Sequence, residues 1–453
     1  LFNNLFPSAF VKSLQSALPE EEVKALLEAL QQPAPVSIRV NTRKTTLKPV
    51  SASPIPWCEN GYYLPERPLF AADPAFHAGH YYVQEASSMV VGGIVKELLS
   101  ALPDQAVVLD LCAAPGGKST HVTSVLRDGD ILVANEVIGT RTPILAENLC
   151  KWGAAKHIVT KADASRFGKS DARFDIVLAD VPCSGEGMFR KDPDAINEWS
   201  ENNVKLCAER QQRIVTDIWP AIATGGFLIY STCTFNTAEN EDNVKKLAET
   251  LGANILKPEF SEKEVFYNLQ EGMYRALPHR TIGEGFFVGV LQKMQDTGRS
   301  QNAVKSRKNA ASVSLSGLPS DVRVLETREG IWGMRVSDVA LWQHLLDVLP
   351  GVYAAGTPMG QVFHGKWKPD TAVALLEGFQ TNIWPELSLT DAEVMAFLCR
   401  ETLPNQERKE GLHSVSWNGV SLGFVNANRH QWNNLWPMEW RLRMAATKPS
   451  KVL

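Results

Sequence analysis

Two cysteines stand in similar company along this chain. One lies in Asp180-Val181-Pro182-Cys183-Ser184-Gly185-Glu186-Gly187, the other in Tyr230-Ser231-Thr232-Cys233-Thr234. Each follows an apolar run, Phe174 to Asp180 and Phe227 to Ser231, of the kind that forms a buried strand. A thiolate is strongly nucleophilic even as a minor species at neutral pH. Added to carbon 6 of a cytosine, it breaks the aromaticity of the ring and makes carbon 5 able to attack an electrophilic methyl group. The adduct must then lose its carbon 5 proton and expel the sulfur, so one hard step becomes several easier ones. A lone buried cysteine is more often plain packing. A disulfide is a second bland reading, disfavoured in a reducing compartment. Two thiols at neighbouring strand ends, each in a turn of small residues, favour chemistry. Residue types alone leave open which of the two attacks.

Acids recur at the same places. Asp110 lies in a first strand, Glu136 ends a second, Asp163 follows a third and Asp180 ends a fourth. In an open parallel sheet those ends share the carboxyl edge, where ligands bind. After the first strand comes Cys112-Ala113-Ala114-Pro115-Gly116-Gly117-Lys118, a turn with almost no side-chain bulk. Backbone can approach a ligand closely there, and the helix that follows offers free N–H groups. A carboxylate about 20 residues beyond such a turn suits the paired hydroxyls of a ribose. The edge therefore reads as a nucleoside site, and the absence of GxGxxG argues against NAD.

The elements that must hold these residues alternate strand and helix from Ala106 onward, the mark of an α/β parallel sheet with crossover helices. Strands are expected at 107–111, 131–136, 157–160, 174–180, 227–231 and 285–290, with helices at 141–152, 205–222 (stopped by Gly225-Gly226) and 238–251. Residues 1–34 read as amphipathic helix and Val36 to Asn41 as a half-buried strand, with Arg39, Arg43 and Lys44 as a basic cluster. That cluster is either a solvated face or a contact for a phosphate backbone. Residues 52–76 read mostly as loop, 80–85 as a strand and 86–102 as a helix. The stretch 296–319 loses its aromatics and carries four basic residues and no acid between 299 and 308, which predicts a linker. A mixed α and β region follows from 320, with a hairpin turning at Asn418-Gly419. The expected division is 1–102, 103–295, 296–319 and 320–453. The tryptophans beyond 330, among them Trp432, Trp436 and Trp440, are read mainly as core.

Composition bounds the partners. With 46 basic and 50 acidic side chains the net charge is −4, so nucleic-acid binding would need local basic patches. The 44% hydrophobic content suits a globular protein with a real core. No apolar run is long enough to span a membrane, and nothing at the start suggests export. Seven cysteines without a CxxC pair support neither a disulfide framework nor a metal site, and point to free thiols in the cytoplasm.

These residues together carry a resemblance. Asp110 to Lys118, Asn135-Glu136, Asp180 to Gly187, Arg190-Lys191-Asp192-Pro193 and Tyr230 to Thr234 are similar to the motifs of the Sun/Fmu-type RNA (cytosine-5) methyltransferases, most closely bacterial 16S rRNA members of the RsmF kind. The similarity spans roughly residues 30–295. It implies a Rossmann-like methyltransferase core in which Cys112, Ala113, Ala114, Pro115, Gly116, Gly117 and Lys118 cradle S-adenosylmethionine. Glu136 would hold its ribose, Asp163 would lie near the adenine, and Asp180 near the methionine amine or the target base. Cys233 would be the nucleophile and Cys183 the helper in proton removal and product release. Lys191 would lie near the target nucleotide. The family also implies a small RNA-recognition-like unit at the N-terminus, and Gly423 to Trp440 resembles a PUA-like RNA-binding module. The implied partner is RNA, in the small ribosomal subunit. The same reaction on tRNA and a non-catalytic assembly factor are the competing readings. Methylation of an adenine amino group fits less well, since its usual Asn/Asp-Pro-Pro-aromatic turn is replaced here by Asp180-Val181-Pro182-Cys183.

Overall fold

The computed structural model describes residues 5–295, 311–312, 314–379, 383–406, 408–443 and 448–453. Most of the expected linker, 296–310, lies outside the described residues. Helices Ser8–Ala17 and Glu20–Ala29 open the chain. Four antiparallel strands follow: β1 (Val36–Val40), β2 (Ser53–Ile55), β3 (Cys58–Leu64) and β4 (Tyr81–Val83), in the order β2-β3-β1-β4. The expected loop at 52–76 is thus corrected. β2 and β3 form a hairpin there, and Gly61 lets β3 approach the helix layer so closely that an added Cβ would sit 2.9 Å from Met89 Sδ.

The central sheet takes β5 (Val107–Asp110), β6 (Ile131–Asn135), β7 (His157–Thr160), β8 (Phe174–Asp180), β9 (Ile222–Thr232), β10 (Ala253–Leu256), β11 (Tyr267–Gln270), β12 (Met273–Ala276) and β13 (Phe286–Lys293). Its order is β11-β12-β13-β9-β8-β5-β6-β7, with β10 paired to β13. β9-β8-β5-β6-β7 are parallel; β13 pairs antiparallel with β9, β12 antiparallel with β13 and β11 antiparallel with β12. The continuous apolar runs are buried on both faces. Val108, Leu132, Ile176 and Ile229 pack under helices Val90–Ser100 and Gly117–Val125, while Leu109, Val133, Val177 and Leu228 pack under Glu201–Ile218 and Glu241–Leu251. The helix expected at 205–222 runs Glu201–Ile218 instead. Ser200 caps its start by accepting from the Asn203 amide, and Pro220 follows its end. Gly225-Gly226 therefore lies within β9, where the ladder to β8 shifts register.

The C-terminal region is less separate than expected. Its strand Val352–Ala354 pairs antiparallel with β7 and so extends the central sheet. Leu325, Met334, Val336, Trp342 and Leu345 join the same apolar cluster as Leu109 and Val133. Among the described residues this region also holds two five-stranded sheets, one built on Val322–Thr327 and Gly330–Arg335, the other containing the hairpin Gly411–Trp417 and Val420–Ala427. Asn418 (φ 47°) and Gly419 (φ 77°) both take the left-handed conformation that a two-residue turn demands. Trp432 and Trp436 are buried core.

Candidate active site

The parallel strands carry their last residues to one edge. Asp110 ends β5 and is buried, with Oδ2 accepting from Ser119 Oγ (2.6 Å) and Oδ1 without a partner among the described residues. Burial pushes its carboxyl up to about 7. The turn that follows is built for close backbone approach. Gly116 has φ +116°, and a Cβ there would lie 3.4 Å from Asn148 Cβ and Leu145 Cδ1. Arg141 donates to the Ala114 carbonyl and Asn148 Nδ2 to that of Pro115 (2.8 Å), while Gly117 and Lys118 open the helix. Burial, with Asp110 and Asp180 nearby, holds the Cys112 thiol well above its ordinary range. It remains a protonated small side chain.

Asn135, the last residue of β6, ties three strand ends together. Its Nδ2 donates to the carbonyls of Leu111 (2.9 Å) and Ala162 (3.0 Å), and its Oδ1 accepts from the Ala162 amide (3.0 Å) and the Thr160 hydroxyl (3.0 Å). Glu136 follows, buried, accepting from the Ile138 amide (2.8 Å) and lying 3.6 Å from Arg141 Nη1. Asp163 caps helix Ala164–Lys169. Hydrogen bonds from the Ser165 hydroxyl and amide hold its carboxyl below the usual range, and Arg213 lies 3.7 Å away.

Further along the edge, Asp180 receives the Ser231 hydroxyl on Oδ1 (2.8 Å) and Lys118 Nζ on Oδ2 (2.8 Å). Burial opposes charge on Lys118, but Asp180, Asp110 and Cys233 outweigh it and raise its ammonium above the ordinary value. Lys118 Nζ also lies 5.2 Å above the Phe286 ring. Beside this pair, Cys183 Sγ and Cys233 Sγ are 3.3 Å apart, although fifty positions separate them. The hydrogen bond with Cys233, burial and the charge of Glu239 hold the Cys183 thiol well above its ordinary range. The edge therefore combines a turn that lets backbone approach closely, a buried carboxyl with an oxygen that has no partner among the described residues, and a pair of touching thiols. That donor set fits a nucleoside with a positively charged tail.

Sequence reasoning assigned no role to Glu186, Asn236 and Glu239. All three are buried between the two cysteine turns. Glu186 stands inside one quoted motif, but no periodicity marks a carboxylate that will bind the backbone of another turn.

The basic residues disperse. Arg39 is 1% exposed; its guanidinium donates to Gln84 Oε1 (2.9 Å), Ser124 Oγ (3.1 Å) and Thr120 Oγ1 (2.6 Å) and lies 4.2 Å over the Trp152 ring. The phosphate contact expected of it is corrected: β1 is covered on the face that carries Ser37, Arg39 and Asn41, so Arg39 joins the N-terminal sheet to helix Gly117–Val125. Arg43 is half-exposed, 3.7 Å from Glu377 of the C-terminal region. It lines a groove with Asn60, Lys96 and Ser124, at the far end of helix Gly117–Val125 from the Cys112–Lys118 turn. Lys191 is partly exposed, with Nζ 3.8 Å from Glu284.

Residues 97–292 match the family model described as 16S rRNA methyltransferase RsmB/F, and residues 6–86 match the N-terminal domain of 16S rRNA methyltransferase RsmF. A protein named ribosomal RNA small subunit methyltransferase F from Shewanella piezotolerans is 32% identical over 472 residues, covering 95% of each chain. The chain belongs to the RsmB/F methyltransferase family. A protein from Vibrio atlanticus that is also named ribosomal RNA small subunit methyltransferase F is 30% identical, over 93% of this chain and 94% of that one. Among solved structures, NSun6 from Pyrococcus horikoshii, determined with SFG, superimposes with a TM-score of 0.55 at 21% identity, over 64% of this chain and 99% of that one. A methyltransferase homolog protein from the same organism gives 0.50 at 24%, over 63% and 99%. Both show the fold alone. In this RsmB/F chain the cofactor is S-adenosylmethionine.

Proposed function

We propose that this protein methylates carbon 5 of a cytosine in RNA, with 16S rRNA of the small ribosomal subunit as its substrate. The contact between Cys183 and Cys233 beside the Lys118–Asp180 pair carries this reading. The names of its RsmB/F relatives support the choice of RNA. S-adenosylmethionine supplies a methyl group activated by its positive sulfur. The Cys112–Lys118 turn cradles it, Glu136 holds the ribose hydroxyls and Asp163 lies toward the adenine. Asp180, fixed by Lys118 and Ser231, faces the methionine end or the target base.

Cys233 adds as thiolate to carbon 6, forming a carbon–sulfur bond and shifting electron density to carbon 5. Carbon 5 would take the methyl group as the bond from the methyl carbon to the cofactor's positive sulfur breaks, the electron pair staying on a then neutral sulfur. The carbon 5 proton then leaves to a base, the freed pair rebuilds the carbon 5–carbon 6 double bond, and the thiolate departs. Cys183 serves this exit, because it is the group against the Cys233 sulfur and its thiol keeps a proton for the leaving thiolate. Lys191 and Arg43 are read as RNA contacts. The Gly411–Trp417 and Val420–Ala427 hairpin sheet is read as a PUA-like RNA-binding module, and the N-terminal sheet as the RNA-recognition-like unit.

The deciding experiment offers methyl-labelled S-adenosylmethionine with small subunits from cells lacking the protein, with their naked 16S rRNA, and with tRNA. Label in 5-methylcytosine of 16S rRNA is expected. Label in tRNA alone would move the substrate, and no label in any RNA would leave a binding protein.

A further inference from the structure

The two cysteine turns are joined by a reciprocal clasp. Glu186 belongs to the Cys183 turn, yet its carboxylate accepts the backbone amides of Phe235 (2.6 Å) and Asn236 (2.9 Å), just beyond Cys233. Glu239 follows the Cys233 turn, yet it accepts the backbone amide of Ser184 (3.0 Å), just beyond Cys183. Asn236 stands between them, its Nδ2 donating to Glu186 Oε1 (3.0 Å) and Glu239 Oε1 (2.8 Å). Trp199 Nε1 completes Glu186 (2.9 Å) and Gln211 Nε2 completes Glu239 (2.7 Å). Both carboxylates are 0% exposed. Their partners here are neutral N–H groups, which an ionised carboxylate accepts and a protonated one would in part refuse.

We propose that Glu186 and Glu239 are positioning residues for the thiol pair: each grips the backbone of the other's turn and so fixes how far apart Cys183 and Cys233 stand. Several observations argue that this is more than general packing. The grip is exerted on backbone one to three residues past the cysteines: Ser184 adjoins Cys183, and Phe235 and Asn236 follow Cys233 after Thr234. It is supplemented by the Ser184 Oγ–Thr234 Oγ1 contact (2.9 Å) and by the Gly187 amide on the Cys233 carbonyl (2.8 Å). Gly187 cannot carry a Cβ, which would fall 2.8 Å from that carbonyl. A hydrophobic pair could fill the same space, but it would leave the amides of Ser184, Phe235 and Asn236 unpaired in the interior. Glu239 also acts on the thiols electrostatically, being among the groups that raise the Cys183 thiol above its ordinary range.

The inference rests on the proposed two-thiol mechanism, so the test has one arm that needs no RNA. Glu186→Gln, Glu239→Gln and the milder Trp199→Phe, which removes a single donor to Glu186, are compared with the parent. In the first arm diamide, which takes one hydrogen from each thiol as the disulfide forms, closes Cys183 to Cys233, and the rate is followed by mass spectrometry. A fall of about tenfold or more is expected for the two Gln variants and a smaller fall for Trp199→Phe, with S-adenosylmethionine affinity within about twofold of the parent. In the second arm kcat for RNA methylation falls about 10- to 100-fold while both KM values hold. The alkylation profile of Cys183 against pH moves to lower pH in Glu239→Gln only. Unchanged disulfide rates, or losses that track cofactor affinity in every variant, would overturn the proposal. An inactive parent with the expected disulfide rates would instead overturn the mechanism and keep the clasp.

Discussion

The backbone amide of Lys161 donates to the carbonyl of Gly351 across 2.7 Å, joining the residue after β7 to the C-terminal region. Val352 and Ala354 continue the pairing with Thr160 and Val159. Deleting residues 320–453 would open this edge and strip Leu325, Met334, Val336, Trp342 and Leu345 from the core. Fully buried side chains of this kind contribute roughly 1.5–3 kcal/mol each. The truncated chain is expected to melt at least about 10 °C lower or to aggregate, as read by calorimetry and light scattering. Equal melting would make the C-terminal region an independent unit.

The thiols should separate by phenotype. Cys233→Ala is expected to reduce methyl transfer to less than about 10⁻³ of the parent rate. Cys183→Ala should instead accumulate a covalent protein–RNA adduct, visible as a retarded band on a denaturing gel. The reverse pattern would exchange the two roles.

Arg39 and Lys191 should also part company. Arg39→Met leaves Gln84, Thr120 and Ser124 without their donor inside the protein, so it should destabilise by about 2–4 kcal/mol in urea titration. RNA affinity of its folded fraction should not change. Lys191→Ala should alter stability by less than about 0.5 kcal/mol and reduce the salt dependence of RNA binding by about one unit of slope. An unaltered salt slope would remove Lys191 from the RNA contact.

Asp110 sets a pH dependence. Its carboxyl titrates near 3.8 when unfolded and at about 7 when folded, because it is buried. Between those values the folded state holds a proton that the unfolded state has lost. Stability from this group is therefore complete below about 4, falls as pH rises, and is gone above about 7, at a slope of up to about 1.4 kcal/mol per pH unit. Asp110→Asn should flatten the decline in urea titrations from pH 5 to 8. An identical slope in parent and variant would show that Asp110 does not titrate there.

The chain alone determined the sheet strands that carry Asp110, Glu136, Asp180 and Cys233, because a buried parallel strand needs a continuous apolar run and its carboxyl end faces one edge. Small residues between Cys112 and Lys118 likewise announce a backbone cradle through their own sterics. Tertiary structure decided what depends on distant partners. Arg39 lies on an alternating strand and reads as surface, until helix Gly117–Val125 covers that face and takes up its donors. Val352–Ala354 is an ordinary short strand whose partner edge, at Val159 and Thr160, lies far back in the chain. Glu186 and Glu239 resemble surface acids, yet both are buried against amides from the other cysteine's turn. Local periodicity records which way a side chain points within its own element. It does not record which element arrives to meet it, and that meeting brings the two sulfur atoms together.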